Sequence, residues 1–97
     1  MHRLYFIFIA ILLSGNLRAQ QVILSGVVRD ASSGETLIGA VVSVQNGELA
    51  TSTNTYGFYS LTVPGGRHSV VLSYVGHQTL VQDMDVTGSQ RVNFEVK

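Results

Sequence analysis

The sequence predicts an all-β fold, a seven-stranded antiparallel sandwich of two sheets that follows a cleaved leader. Three observations carry that expectation. Apolar and polar residues alternate with a period of two, most cleanly at Phe58-Tyr59-Ser60-Leu61-Thr62-Val63. Tyr59, Leu61 and Val63 share one face there, as a strand with one buried and one wet side requires. Turn formers, Asn46-Gly47, Pro64-Gly65-Gly66 and Thr87-Gly88-Ser89, punctuate such runs at short intervals. The segments between them show no helical periodicity.

The leader is read apart from the domain. In this chain of 97 residues, His2 and Arg3 make a basic start and residues 4–13 form an unbroken apolar run of ten. The segment Ser14-Gly15-Asn16-Leu17-Arg18-Ala19 that follows is small or polar. This is the layout of a secretory signal peptide. A membrane-spanning helix needs roughly 20 apolar residues, more than the run supplies. Residues 1–19 are therefore expected to be a signal peptide cut after Ala19, and residues 20–97 an exported domain.

Within 20–97, residues 21–29 read as the first strand, with Val22, Leu24, Gly26 and Val28 on one face. Ile23 and Val27 make its other face partly apolar, so cover on both sides is expected. Residues 30–36 are rich in turn formers. Leu37 and Ile38 lead into a second strand whose Ala40, Val42 and Val44 point one way. Asn46-Gly47 predicts a tight hairpin to a third strand over residues 48–53. Gly57 suits a bend, since it tolerates backbone angles that a side chain forbids, and the fourth strand ends at Pro64. Residues 67–75 form the fifth, with Val70, Leu72 and Tyr74 inward, and 78–86 the sixth, with poorer alternation. Val92, Phe94 and Val96 mark the seventh.

Composition narrows the function. Beyond residue 19, Arg29, Arg67, Arg91 and Lys97 face Asp30, Glu35, Glu48, Asp83, Asp85 and Glu95, a formal charge of −2. No basic patch is available for phosphate backbones, which disfavours nucleic acid as a partner. There is no cysteine. Small exported domains often rely on disulfides, so this one must be held by its core or by a neighbour.

Residue chemistry offers no catalytic, cofactor-binding or metal site. His68 and His77 are isolated, without the further donors that a zinc site requires. Asp83-Met84-Asp85 lacks the oxygen ligands of a calcium loop and reads better as charge guarding an edge strand. No nucleophile motif, phosphate loop or convergent acid and base appears, so no enzyme is expected. Tyr56 and Phe58 are the exposed aromatics to watch, either as stacking surfaces for a sugar or a partner domain, or as a plug over the sandwich end.

Several segments resemble one family. Gly26-Val27-Val28-Arg29-Asp30 and Ser33-Gly34-Glu35-Thr36-Leu37-Ile38-Gly39-Ala40-Val41-Val42-Ser43-Val44 resemble the opening of the carboxypeptidase-regulatory-like domain. Thr53-Asn54-Thr55-Tyr56-Gly57-Phe58-Tyr59-Ser60-Leu61 is similar to its central motif, and Leu72-Ser73-Tyr74-Val75-Gly76-His77-Gln78-Thr79 to its third. The resemblance implies a transthyretin-like (prealbumin-like, Ig-like) sandwich without catalytic residues. Asn54 stands where the family often has Asp, and His77 where it usually has Tyr or Phe. The latter leaves open an altered contact or a ring facing solvent.

In Bacteroidetes-type bacteria such domains follow the signal peptide of TonB-dependent outer-membrane receptors that import glycans and other nutrients. The implied reading is a periplasmic, non-catalytic accessory domain in nutrient transport. Its expected partners are envelope proteins: the receptor's plug and barrel, a lipoprotein lid or a periplasmic protein. The possible interaction surface is Tyr56, Phe58 and His77. The sequence ends at Lys97, so the alternative is a free-standing secreted module that binds glycan or protein. A third reading is a stabilising appendage to an exported peptidase.

Overall fold

The computed structural model describes residues 20–97; the expected signal peptide falls outside them. Alternation sets the layers. In β1 (Gln21–Asp30), Val22, Leu24 and Val28 are buried while Gln21, Ile23 and Arg29 face outward. The expected cover on both faces is therefore confined to Val27, which is half-buried; Ile23 is exposed. β2 (Val41–Val44) and β3 (Leu49–Ser52) form a hairpin, followed by β4 (Phe58–Pro64), β5 (Gly66–Ser73) and β6 (Leu80–Val86). The chain closes with β7 (Gln90–Arg91) and β8 (Phe94–Val96).

Two sheets result. One places β1 in the middle, with β4 on one side and β7 and β8 on the other. The second runs β3-β2-β5-β6. The inward faces meet in one cluster, in which Leu24, Val28, Val42, Tyr59, Val63, Val70, Leu72 and Val86 are almost wholly buried. This cluster takes the place that disulfides hold in many exported domains of similar size. The sandwich is as expected, and Tyr59, Leu61 and Val63 point inward as their alternation predicts.

The elements differ from expectation at four places. The fifth strand ends at Ser73 and the sixth begins at Leu80, so Tyr74, Val75, Gln78 and Thr79, expected in strands, lie in the loop between them. The second strand begins at Val41, because Gly39 turns the chain with φ +80° before it. The hairpin after Val44 uses three left-handed residues, Gln45 (φ 54°), Asn46 (φ 56°) and Gly47 (φ 87°), where Asn46-Gly47 alone was expected. The last strand runs parallel to β1 and is split in two. Its direction follows from connectivity: β6 ends near Gly66, where β5 begins, at the same end as the start of β1. Taken as one interrupted strand, β7 and β8 bring the count to the expected seven.

The interruption is built from three side chains. At Val92 the backbone leaves the ladder and its carbonyl accepts the Tyr59 hydroxyl proton at 2.6 Å. Asn93 Oδ1 then accepts the Val27 amide at 2.9 Å, and Ser89 Oγ the Ile23 amide at 3.1 Å, in place of backbone carbonyls. Side chains thus complete the edge of β1 where the partner strand cannot, supplying the acceptors that these backbone amides would otherwise find in the ladder. Tyr59 is buried at this point, its ring 5.9 Å from that of Phe94, and burial pushes its hydroxyl pKa up to about 12.

Only glycine fits at position 26. A Cβ there would lie 1.9 Å from the Val92 carbonyl oxygen. Gly26→Ala is therefore expected to displace β7 and β8 from β1 and to cost about 3 kcal/mol in urea unfolding. Gly34 has φ +76°, but nothing lies within 4 Å of where its methyl group would stand, so Gly34→Ala should cost only about 1–2 kcal/mol of backbone strain. Equal losses for the two variants would contradict the close approach at Gly26.

Candidate functional site

At the end of the sandwich where β1 finishes, three loops gather: residues 31–40, 53–57 and 74–79. Two of them carry the chain between sheets, 31–40 from β1 to β2 and 53–57 from β3 to β4. Thr53 fastens these two together. Its buried hydroxyl donates to the Leu37 carbonyl at 2.6 Å and accepts the Ala40 amide at 2.9 Å. Backbone bonds Thr53 N–H to Ala40 O (2.8 Å) and Gly39 N–H to Thr53 O (3.0 Å) complete the clasp.

Asn54 shapes the turn that follows. Its Oδ1 accepts the amides of Tyr56 (2.9 Å) and Phe58 (3.1 Å), the side-chain mimic of a backbone turn that Asn favours. Gly57 then passes beneath loop 31–40 with φ +75°, where a Cβ would sit 2.7 Å from the Thr36 Cβ. Its carbonyl accepts the Val28 amide at 2.9 Å. The bend expected at Gly57 is thus required twice, by its backbone angle and by close approach.

The third loop is held by charge. Asp30 Oδ2 accepts from the Ser32 hydroxyl (2.8 Å), the Ser33 amide (2.9 Å) and the Ser33 hydroxyl (2.8 Å). Its Oδ1 lies 2.7 Å from His77 Nε2. The Ser32 hydroxyl, His77 and the Ser33 groups hold the Asp30 carboxyl well below the usual carboxylate range. His77 Nδ1 faces the Val75 carbonyl at 3.0 Å, and that bond, with the bond to Asp30 and its charge, raises the imidazole pKa against desolvation. The ring also meets Tyr74 edge-on, with centroids 5.0 Å apart.

These ties leave apolar side chains standing in solvent. Tyr56 is 78% exposed, Val75 85% and Ile38 56%, one from each loop. Of the residues singled out from sequence, Tyr56 stands at this end as a free aromatic. Phe58 lies on the outer face of the β4 edge, opposite Val27 in register. His77 is neither a free surface ring nor a plain packing residue: its side chain is 19% exposed, bonded to an Asp30 that is 17% exposed. Asp30, Ile38 and Val75 were not signalled by the sequence. A hint existed for Asp30, since Asp followed by Ser-Ser-Gly has the composition of a side-chain-closed turn.

Other features are less suggestive. His68 Nε2 lies 2.6 Å from the Pro64 carbonyl, which accounts for its ring. Among the described residues, no three His, Cys, Asp or Glu side chains come together as metal ligands. Two depressions, one beside Gln78, Leu80 and Lys97 and one beside Asn46 and His68, hold about 240 and 260 Å³. Both fall short of the roughly 300 Å³ at which small-molecule pockets begin.

The family model of the CarboxypepD_reg-like domain matches residues 24–97. The chain belongs to that family. CarboxypepD_reg-like domains are often accessory units, and the matched span takes in both sheets and all three loops. This domain is similar to a chain in each of two crystal structures of type II cohesin–X-dockerin complexes from Acetivibrio cellulolyticus, one a C-terminal and one an N-terminal interface mutant. In both the TM-score is 0.65 at 16% identity, over 75% of this chain and 52% of the other. The likeness is one of fold, and this chain spans about half the length of those it matches. Comparison with curated proteins gave no match.

The clasp and the turn can be separated by mutation. Thr53→Val keeps the shape but leaves the Leu37 carbonyl and Ala40 amide unpaired, and should cost about 2–3 kcal/mol in urea unfolding. Asn54→Asp should stay within about 0.5 kcal/mol of the parent, because both protein bonds use an acceptor oxygen that a carboxylate also provides. Asn54→Ala, which removes that oxygen, should cost about 1 kcal/mol.

Proposed function

We propose that this CarboxypepD_reg-like domain is a non-catalytic interaction unit of a TonB-dependent outer-membrane nutrient receptor, held in the periplasm. Its loop-bearing end docks another envelope protein. The observation that carries the docking reading is the set Ile38, Tyr56 and Val75, left exposed on three loops that are themselves tied down. Apolar side chains on a fixed frame bind with little further loss of freedom. Family membership supports an accessory role, and the similar chains come from structures described as complexes between proteins. Placement in a receptor rests on the resemblance noted in the sequence and on the layout of residues 1–19 as a leader.

A second reading keeps the same surface in a free-standing secreted module. The exposed Tyr56 ring on its Asn54-closed turn favours it, since such a ring can stack on a sugar face.

Fractionated cells probed with an antibody to residues 20–97 separate the two. The receptor reading expects an outer-membrane band several times the 10.5 kDa of this chain. It also expects a photo-crosslinker at position 56 to join that band to a periplasmic or outer-membrane protein. A small soluble band would overturn the receptor placement and leave the secreted module. Loss of all crosslinking from position 56, with the large band intact, would overturn docking through this end.

A further inference from the structure

Residues 74–79 leave β5 after Ser73 and return to the sheet at Leu80. Within the loop, the His77 amide donates to the Tyr74 carbonyl at 3.1 Å. Two bonds reach across to the other sheet. The Gln78 amide donates to the Lys97 carbonyl at 2.6 Å, and His77 Nε2 meets Asp30 Oδ1 at 2.7 Å. Both nitrogens of the His77 ring thus face acceptors, Val75 O and Asp30 Oδ1. A neutral imidazole carries one N–H and can satisfy only one of them; an imidazolium satisfies both.

We propose that His77 is a proton-operated latch, which as an imidazolium clamps the β5–β6 loop to Asp30 at the end of β1 and on deprotonation frees that loop and its exposed Val75. The geometry makes the proton structural. Losing it leaves one ring nitrogen pointing a lone pair at a carbonyl or a carboxylate, and repulsion replaces a charge-assisted bond. Asp30 cannot adapt by protonation, because Ser32 and Ser33 donate three bonds to its other oxygen.

The surrounding charges leave the pair to itself. Tyr74 presents a ring edge from the loop. Arg29, next to Asp30, turns its guanidinium to the Gly34 carbonyl at 3.2 Å. Glu35 is exposed, and its backbone carbonyl accepts the Asp30 amide at 2.8 Å. Glu95 and Lys97 line the depression beside Gln78 and Leu80, opposite in sign to each other.

The direction of the switch follows from the two shifts. His77 is raised, so its contribution is complete below the ordinary imidazole pKa and is lost as pH rises through the raised value. Asp30 is lowered, so its contribution is present above the ordinary carboxylate pKa and is lost only as pH falls through the depressed value. The latch is closed in mild acid and opens on the alkaline side. Its effect on docking rests on the function proposed above; the latch itself does not.

Nitrogen-resolved imidazole spectra of the purified protein test it, recorded from about pH 5 to about pH 9 alongside amide exchange of residues 75–78. His77 is expected to hold protons on both ring nitrogens and to titrate above the roughly 6.5 of a free imidazole side chain. Above that midpoint the His77 and Gln78 amides should exchange faster by on the order of tenfold, beyond the intrinsic effect of pH. In Asp30→Asn the midpoint should fall and the step in exchange should vanish. If that variant does not fold, His77→Gln serves: its loop should exchange at the open rate at every pH. A His77 midpoint at or below roughly 6.5, or loop protection unchanged through its titration, would falsify the latch. A pH step surviving in His77→Gln would overturn it equally. Loss of Tyr56 crosslinking with the titration intact would overturn docking alone.

Discussion

Thr53 is the point on which the rest of this fold depends. A sandwich must pass its chain between sheets, and each crossing exposes backbone groups that have left one ladder and not yet joined another. Here two crossings, Leu37 to Ala40 and Thr53 to Gly57, lie side by side and satisfy each other. The Thr53 hydroxyl is suited to this because it donates and accepts at once. Valine would match its shape and offer neither. A serine would keep the chemistry, but it lacks the methyl that fills this buried site.

From that clasp the consequences run along β1. Its Val28 amide is taken by Gly57, and its Val28 carbonyl by the Leu37 amide, so the end of β1 is enclosed by both crossings. Further back, its other edge meets a broken strand, and Asn93 and Ser89 stand in for missing carbonyls. Gly26 is where the Val92 carbonyl comes closest, on its way to the Tyr59 hydroxyl. One strand thus has tight constraints at two heights, each requiring a glycine: Gly57 above and Gly26 below.

This explains what could be read from the sequence and what could not. The inward set on β4 was legible because period-two alternation reports burial directly. Gly57 was legible as a bend, though not as a close approach to Thr36. Thr53 was hidden: among Thr51, Ser52, Asn54 and Thr55 it looks like one more polar loop residue, and only the crossing of the two loops buries it. Gly26 sits in phase with its apolar neighbours, so nothing local shows that a carbonyl from residue 92 lies over it. The parallel direction of the last strand depends on where β6 ends, a property of the whole chain path. The contact between His77 and Asp30 spans 47 positions, which no local pattern can announce.

Apolar side chains are exposed on strands as well as at the loop end, Ile23, Val41, Phe58 and Val81 among them, and the edges treat them differently. β6, a long free edge, carries Asp83 and Asp85 on exposed positions, and such charges oppose pairing with another strand. Association is thereby discouraged along that edge. At the loop end the opposite choice appears, with Ile38, Tyr56 and Val75 exposed although polar residues would be easier to solvate. An exposed apolar side chain on a mobile loop could fold back onto the nearest apolar surface. These cannot do so freely, because Thr53, Asn54 and the His77 pair fix the backbone on which they stand. Two of the three ties are neutral and indifferent to pH, and one is charged and is not. The proposed latch would therefore act on the loop that carries Val75 alone, because the ties that hold Ile38 and Tyr56 contain no titrating group.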